Sequence, residues 1–161
     1  MKNLIIINGT MGVGKSTVCK ELNKRLIRSV WLDGDWCWMM NPWVVNDENK
    51  KMVVQNINFL LRNFLNNSGF SYVIFDWVIH TDSIMNTIIQ GLSDCNFKLF
   101  KISLTCREEE LIARMNKDGR TNIQTSIDRL KLYQDMDTIK VDTSNKSVND
   151  IANEIVNIIS C

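Results

Sequence analysis

The sequence predicts a three-layer α/β sandwich, a five-stranded parallel sheet flanked by helices, and three observations carry that prediction. Short apolar runs alternate with longer stretches of helical periodicity along the chain. A glycine-rich loop joins the first apolar run to the first helical stretch. Acids stand at the carboxyl ends of two further runs, where open α/β sheets bind ligands.

Leu4-Ile5-Ile6-Ile7 is continuously apolar and reads as a buried parallel strand. Gly9-Thr10-Met11-Gly12-Val13-Gly14-Lys15-Ser16-Thr17 follows and fits the phosphate-loop pattern G-x-x-x-x-G-K-[ST] at every fixed position. Glycines let backbone N–H groups turn inward around phosphate oxygens, and the following helix adds the positive end of its dipole. All nine residues are therefore assigned to the nucleotide, with Lys15 on the β- and γ-phosphates and the Ser16 hydroxyl on Mg²⁺. Val18, Leu22, Leu26 and Ile27 predict a helix from Lys15 to Ile27.

Val30-Trp31-Leu32 reads as a second buried strand ending at Asp33-Gly34-Asp35, two acids in position for a site. The segment from Trp36 to Trp43 holds three tryptophans and two methionines in eight residues. It suits either an apolar wall beside Asp35, with Trp36 and Trp38 on substrate, or a lid tucked onto the core. Val53, Ile57, Leu60, Leu61 and Phe64 mark a long amphipathic helix from Asp47, its expected N-cap, to Asn66. Arg62 is expected at the surface.

Tyr72-Val73-Ile74-Phe75-Asp76 is a third strand, and Asp76 is a second candidate for Mg²⁺ beside Asp33. Trp77 and His80, the one histidine, follow directly. Thr81 is read as the cap of a helix ending at Gly91. Phe97 to Leu104 forms a fourth strand. Thr105-Cys106-Arg107-Glu108 and Thr121-Asn122-Ile123-Gln124 read as capping boxes of two helices. The polar link between them carries Lys117 and Arg120 and follows Arg114, and the unit at about 107–136 reads as a short helical lid. Phosphoryl transfer needs positive charge at the γ-phosphate, so Arg114 and Arg120 are the catalytic candidates, ahead of Lys117 and Arg129. Ile139 to Asp142 is the fifth strand, leading to an Asp142-Thr143-Ser144 loop within reach of a base. Ser147 to Asp150 caps a last helix.

One domain accounts for all 161 residues. A hydrophobic content of 45% with 23% charged residues is ordinary for a globular protein, and a net charge of +1 argues against long nucleic acid or an anionic membrane as partner. No apolar run is long enough to span a membrane, and Met1-Lys2 leaves no room for a signal peptide. Five scattered cysteines without a C-x-x-C suggest reduced thiols and a cytoplasmic protein, expected as monomer or homodimer.

Taken in order, these pieces resemble the small P-loop kinases of the nucleotide-kinase-like group, which includes shikimate kinase, gluconate kinase, adenylylsulfate kinase and chloramphenicol phosphotransferase. The resemblance covers almost the whole chain and implies a P-loop NTPase sandwich. Asp33-Gly34-Asp35 resembles the Asp-x-Asp of shikimate kinase, whose second acid holds the acceptor hydroxyl. Asp35, seven residues before Pro42, is similar to the proposed base of chloramphenicol phosphotransferase. Asp76-Trp77-Val78, Cys106, Arg114, Asp118-Gly119-Arg120 and Val141-Asp142-Thr143 are similar to further parts of that enzyme. Neither the Asp-Gly-Phe-Pro-Arg of nucleoside monophosphate kinases nor the glycine triplet of shikimate kinase is present, and the tryptophan-rich loop matches none of these families closely.

The function expected is ATP-dependent, Mg²⁺-assisted phosphorylation of a hydroxyl on a small molecule, a metabolite or an antibiotic. Asp35 would be the base, with Asp33, Trp36, Trp38 and Trp77 on the acceptor side. Two alternatives stay open: a kinase of nucleosides, nucleotides or nucleic-acid ends, and an ATP-binding regulatory NTPase with no small-molecule acceptor.

Overall fold

The structure, a computed structural model, describes residues 1–160; Cys161, one of the five thiols expected to be reduced, lies outside them. The other four cysteines are free. Chain order runs β1 (Lys2–Asn8), α1 (Lys15–Arg25), β2 (Ser29–Asp33), a 3₁₀ turn (Gly34–Trp38), α2 (Asp47–Asn66), β3 (Tyr72–Trp77), α3 (Asp82–Gln90), β4 (Phe97–Thr105), α4 (Glu108–Lys117), α5 (Ile123–Asp135), β5 (Ile139–Asp142) and α6 (Val148–Ser160). The strands form one parallel sheet in the order β2-β3-β1-β4-β5.

The two-residue period of β1 divides the core. Ile5 and Ile7 face one side, with Val18 and Leu22 of α1, Leu111 and Met115 of α4, and Ile151 and Ile155 of α6. Leu4 and Ile6 face the other, with Val53, Ile57 and Leu61 of α2 and Met85 and Ile88 of α3. Helix α5 serves both sides, through Ile127 and Leu130 on the first and Tyr133 on the second. A central strand covered on both faces must be apolar throughout, which is why β1 has no polar alternation.

Several boundaries differ from the sequence expectation, each for a local reason. Helix α1 stops at Arg25 with Leu26 as its buried C-cap, and Ile27 projects outward at 83% exposure. Strand β2 is an edge strand, so of its three apolar residues only Leu32 is buried. Asn46, not Asp47, caps α2, accepting from the Asn49 N–H at 2.8 Å. Thr105 ends β4 and cannot also cap α4, whose N-cap is Arg107 without a side-chain bond. Asn122, not Thr121, is the N-cap of α5 and makes no side-chain cap bond, and Gln124 turns to Asp128 at 2.9 Å. Thr81 caps α3 as expected, and Ser147 and Asp150 bond reciprocally at the start of α6, each at 3.2 Å. Arg62 is not a free surface charge: it joins α2 to the end of α3 through Asp94 and the Gly91 carbonyl. Among the described residues no helix is long and apolar enough to cross a membrane.

Candidate active site

The glycine loop leaves the carboxyl end of the central strand, and its backbone follows from its glycines. Gly14 is the N-cap of α1 with φ 104°, a left-handed conformation that side chains resist. Buried polar residues tie the loop down. The Thr10 hydroxyl donates to the Ser126 carbonyl of α5 at 2.7 Å. Asn8 donates to the Ile79 carbonyl at 2.9 Å and accepts from the Ser103 hydroxyl at 2.6 Å. Asn8 thus links β1 to the segment after β3 that carries His80. The strand pattern reads Asn8 only as the end of an apolar run, so its role was not visible in the sequence.

Adjacent strands align the acids. Asp33 and Asp76 are register partners at the ends of β2 and β3, and the Ser16 hydroxyl lies 3.0 Å from Asp33 Oδ2 and 3.3 Å from Asp76 Oδ2. One hydroxyl proton cannot serve two carboxylates at once. Asp76 is buried, and its pKa is raised to about 6: burial pushes it up, the Trp31 indole N–H, donating at 2.6 Å, opposes this, and the neighbouring Asp33 adds to the rise. Three convergent oxygens in an electron-rich corner fit a hard divalent cation such as Mg²⁺, which takes one or two carboxylates and completes its shell with water and phosphate oxygens. Among the described residues no cluster of three His, Cys, Asp or Glu side chains forms an all-protein metal cage, in keeping with such an open site.

Lys15 donates to the Thr10 carbonyl at 3.0 Å. Its burial lowers its pKa, opposed by the charges of Asp76, Asp35 and Asp33. Asp35 sits one 3₁₀ step beyond Asp33, which accepts the Asp35 N–H at 2.9 Å. Desolvation and the neighbouring Asp33 raise the pKa of Asp35, which favours its acting as a proton acceptor.

Three cavities meet along the carboxyl edge of the sheet. The first, of about 210 Å³, is lined by Met11, Gly12 and Gly14–Thr17 of the loop with Asp33, Asp35, Asp76, Trp77, Val78, Asp118 and Arg120. The second, of about 330 Å³, shares Met11, Asp35, Trp77 and Val78 with the first, and adds Trp38, Trp43, Val45, Lys50, His80, Ile84 and Arg129. The third, of about 200 Å³, shares Gly14 and Thr17 with the first and is closed by Arg114, Lys146 and Val148.

Most predicted site residues therefore converge, but Gly9 and Thr10 are buried and line none of the three cavities, Val13 lines only the third, and Arg114 and Trp36 stand apart. Arg114 stands at the third cavity, not beside Arg120. Helical side chains lean toward their N-terminus, so its guanidinium meets Glu110 one turn back at 3.0 Å, and reaches the Thr143 hydroxyl and carbonyl, both at 3.0 Å. Trp36 lines neither of the first two cavities. It leans on Trp31, with ring centroids 5.1 Å apart, and lines a separate groove with Phe59 and Met39. Lys117 is exposed outside both cavities. Arg129, a weaker candidate by sequence, lines the second with His80, as do Val45 and Lys50, which sequence reasoning missed; nothing in a helical period shows that the first turn of α2 and the residues before it border the site.

Arg120 is aimed by the end of α4. Its N–H bonds back to the Met115 carbonyl at 2.9 Å and the Gly119 N–H to Asn116 at 3.1 Å, with Gly119 at φ 66°. This pair of bonds is a Schellman motif, which turns the chain toward the first cavity.

Other proteins share parts of this chain and its fold. The AAA domain family matches residues 5–137. The chain is 30% identical over 92 residues to a cytidylate kinase of Buchnera aphidicola subsp. Baizongia pistaciae, a match covering 55% of this chain and 40% of that enzyme; it therefore spans less than half the length of that relative. Among solved structures it is similar to the tunicamycin resistance protein of Deinococcus radiodurans, at 21% identity over 99% of this chain and 96% of the other, with a TM-score of 0.77. It is also similar to a gluconokinase of Sinorhizobium meliloti 1021, at 16% identity over 98% and 91%, with a TM-score of 0.72. The chain belongs to the AAA domain family and has the fold of the small P-loop kinases of the nucleotide-kinase-like group.

Proposed function

We propose that the protein is an ATP-dependent phosphotransferase acting on a hydroxyl of a small molecule. The observation that carries this reading is the chain of three cavities with Asp35 at the junction of the first two. A base beside Val148 and under Arg114 would leave the triphosphate in the first cavity and its γ-phosphate facing the second.

In this reading the backbone of residues 9–17 and the Lys15 ammonium bind the phosphates, and Arg120 brings positive charge to the transferring oxygens. Ser16, Asp33 and Asp76 would hold Mg²⁺, which supplies charge neutralisation between the phosphates when bound. Asp35 orients the acceptor hydroxyl and takes its proton as the oxygen attacks the γ-phosphorus and the bond to the bridging oxygen breaks, releasing ADP. Trp77 and Val78 help exclude water, and the link between α4 and α5 acts as the lid. Arg114 belongs to nucleotide binding in this scheme, not to the transition state.

A screen of ATP consumption over hydroxyl-bearing metabolites and antibiotics tests the reaction class. With the acceptor found, Asp35→Asn lowers kcat by about 100-fold or more while the KM for ATP stays within about twofold. Wild-type turnover by Asp35→Asn ends the assignment.

A second reading, a nucleotide kinase, is favoured by the similarity to a cytidylate kinase and by Lys50 and Arg129, cations that suit a monophosphate. Phosphate transfer to CMP at a rate exceeding that to every hydroxyl acceptor favours it. ATP binding with no product under any acceptor favours instead a regulatory nucleotide-binding protein.

A further inference from the structure

We infer that the acceptor is a flat, aromatic or similarly apolar molecule that carries an anionic group as well as its hydroxyl, and that Arg129 recognises that anion. The inference rests on the phosphotransferase reading and adds the substrate class to it.

Charge is the first observation. The titratable groups lining the second cavity are Asp35, Lys50, His80 and Arg129. Asp35 is committed to the junction with the phosphate cavity, so the fixed charges left on the lining, those of Lys50 and Arg129, are both positive. Arg129 is half-buried, yet it makes no hydrogen bond and no ion pair among the described residues. A partly desolvated guanidinium with no carboxylate is costly, and its five donors in a planar fork match a carboxylate or phosphate. Among the described residues Lys50 pairs only with Asp47, at 3.4 Å, and that aspartate is fully exposed, a pairing that holds the ammonium weakly.

Shape is the second observation. Trp38 and Trp43 lie 5.2 Å apart with an interplanar angle of 31°, and both line the cavity together with Trp77. Trp38 is buried, but Trp43 remains 59% exposed although it already covers one neighbour. Large aromatic surfaces left beside a cavity give a flat ligand contact area at little cost in side-chain entropy. A volume of about 330 Å³ accommodates one substituted ring system.

The test uses full-length protein and binding as a readout independent of transfer. The probes are 4-(hydroxymethyl)benzoate, its neutral methyl ester, the cyclohexane analogue of the acid, and CMP as the phosphate arm. Affinities come from calorimetry without nucleotide, and transfer from the same probes with Mg·ATP. The acid or CMP should bind at least about tenfold more tightly than the ester. The acid should also bind more tightly than its cyclohexane analogue. Arg129→Gln should erase the acid-to-ester preference, and Arg129→Lys, which keeps the charge, should restore part of it; circular dichroism checks that both variants fold. The acid leading identifies the anion as a carboxylate, and CMP leading identifies it as a phosphate. Equal affinity of acid and ester, an Arg129→Gln protein that still prefers the acid, or binding of none of the probes overturns the inference. Selective binding without transfer instead overturns the phosphotransferase reading, so the two failures are distinguishable.

Discussion

Asp76 shows how one residue can oppose the fold that holds it. Burial and the neighbouring Asp33 lift its pKa to about 6, well above the ordinary carboxylate range. An acid whose folded pKa exceeds its unfolded one binds its proton more tightly when folded, so stability falls as pH rises between about 4 and about 6. The cost is fully present above about 6, absent below the unfolded pKa, and amounts to about 3 kcal/mol. Without divalent cations, Asp76→Asn should therefore melt higher than the wild type at pH 7.5, and the gain should shrink steadily toward pH 4.5. A difference in melting temperature that does not vary with pH would show that the ionised carboxylate carries no such cost. Asparagine still accepts the Trp31 indole N–H, and Ser16 keeps Asp33 as its acceptor, so the substitution changes charge with little else. The acid at the end of β3 was legible in the sequence, because an apolar strand closing on Asp after a phosphate loop is a pattern. Its tryptophan partner was not, since Trp31 lies on another strand 45 residues away.

At the scale of elements, the end of α4 decides where a cation points. Gly119 adopts φ 66°, and the two Schellman bonds depend on it. Gly119→Val places a β-branched residue in the left-handed region at a cost of about 1–2 kcal/mol, which is about 2–8 °C in Tm for a chain of this size. Phosphate transfer should fall with it, because Arg120 no longer turns into the cavity. Arg120→Ala should lose transfer to a similar degree without the loss in Tm; full activity in Gly119→Val would show that the helix end does not position Arg120. Elements were legible where a single period or cap decides them, as in α6, whose Ser147 and Asp150 bond reciprocally. They misled where two residues compete for one partner. Thr105 has the spacing of a cap, but the last strand pair claims it: its carbonyl accepts the Thr143 N–H at 2.8 Å and the Thr143 hydroxyl at 3.0 Å. Arg114 stands apart from Arg120 for a directional reason, since the lean of helical side chains sends it one turn back onto Glu110 and away from the lid tip.

The whole molecule assembles its site from the carboxyl ends of parallel strands, and that much follows from alternating apolar runs and helices. The strand order does not, because period alone leaves the neighbours of β1 open. That order sets β3 between β1 and β2, so Asp76 falls between the loop and Asp33. It likewise gathers Asp35, His80 and Arg129 around one cavity from three separate regions of chain. A nucleotide bridging the first and third cavities should consequently stabilise the fold as a unit: α1 and its loop, the β5–α6 segment and the α4 end all line that path. At a hundred times its Kd a ligand selective for the folded state adds about 2.7 kcal/mol, which is about 5–10 °C in Tm. Mg·ATP should produce that shift in a single cooperative transition, and ATP with a chelator a smaller one, because Ser16, Asp33 and Asp76 then face the phosphates without a cation. Lys15→Ala should lose most of the shift in both conditions. A shift of the same size with and without Mg²⁺ would argue against the corner formed by Ser16, Asp33 and Asp76 as the metal site, and no shift with any nucleoside triphosphate would remove the loop's assignment to phosphate.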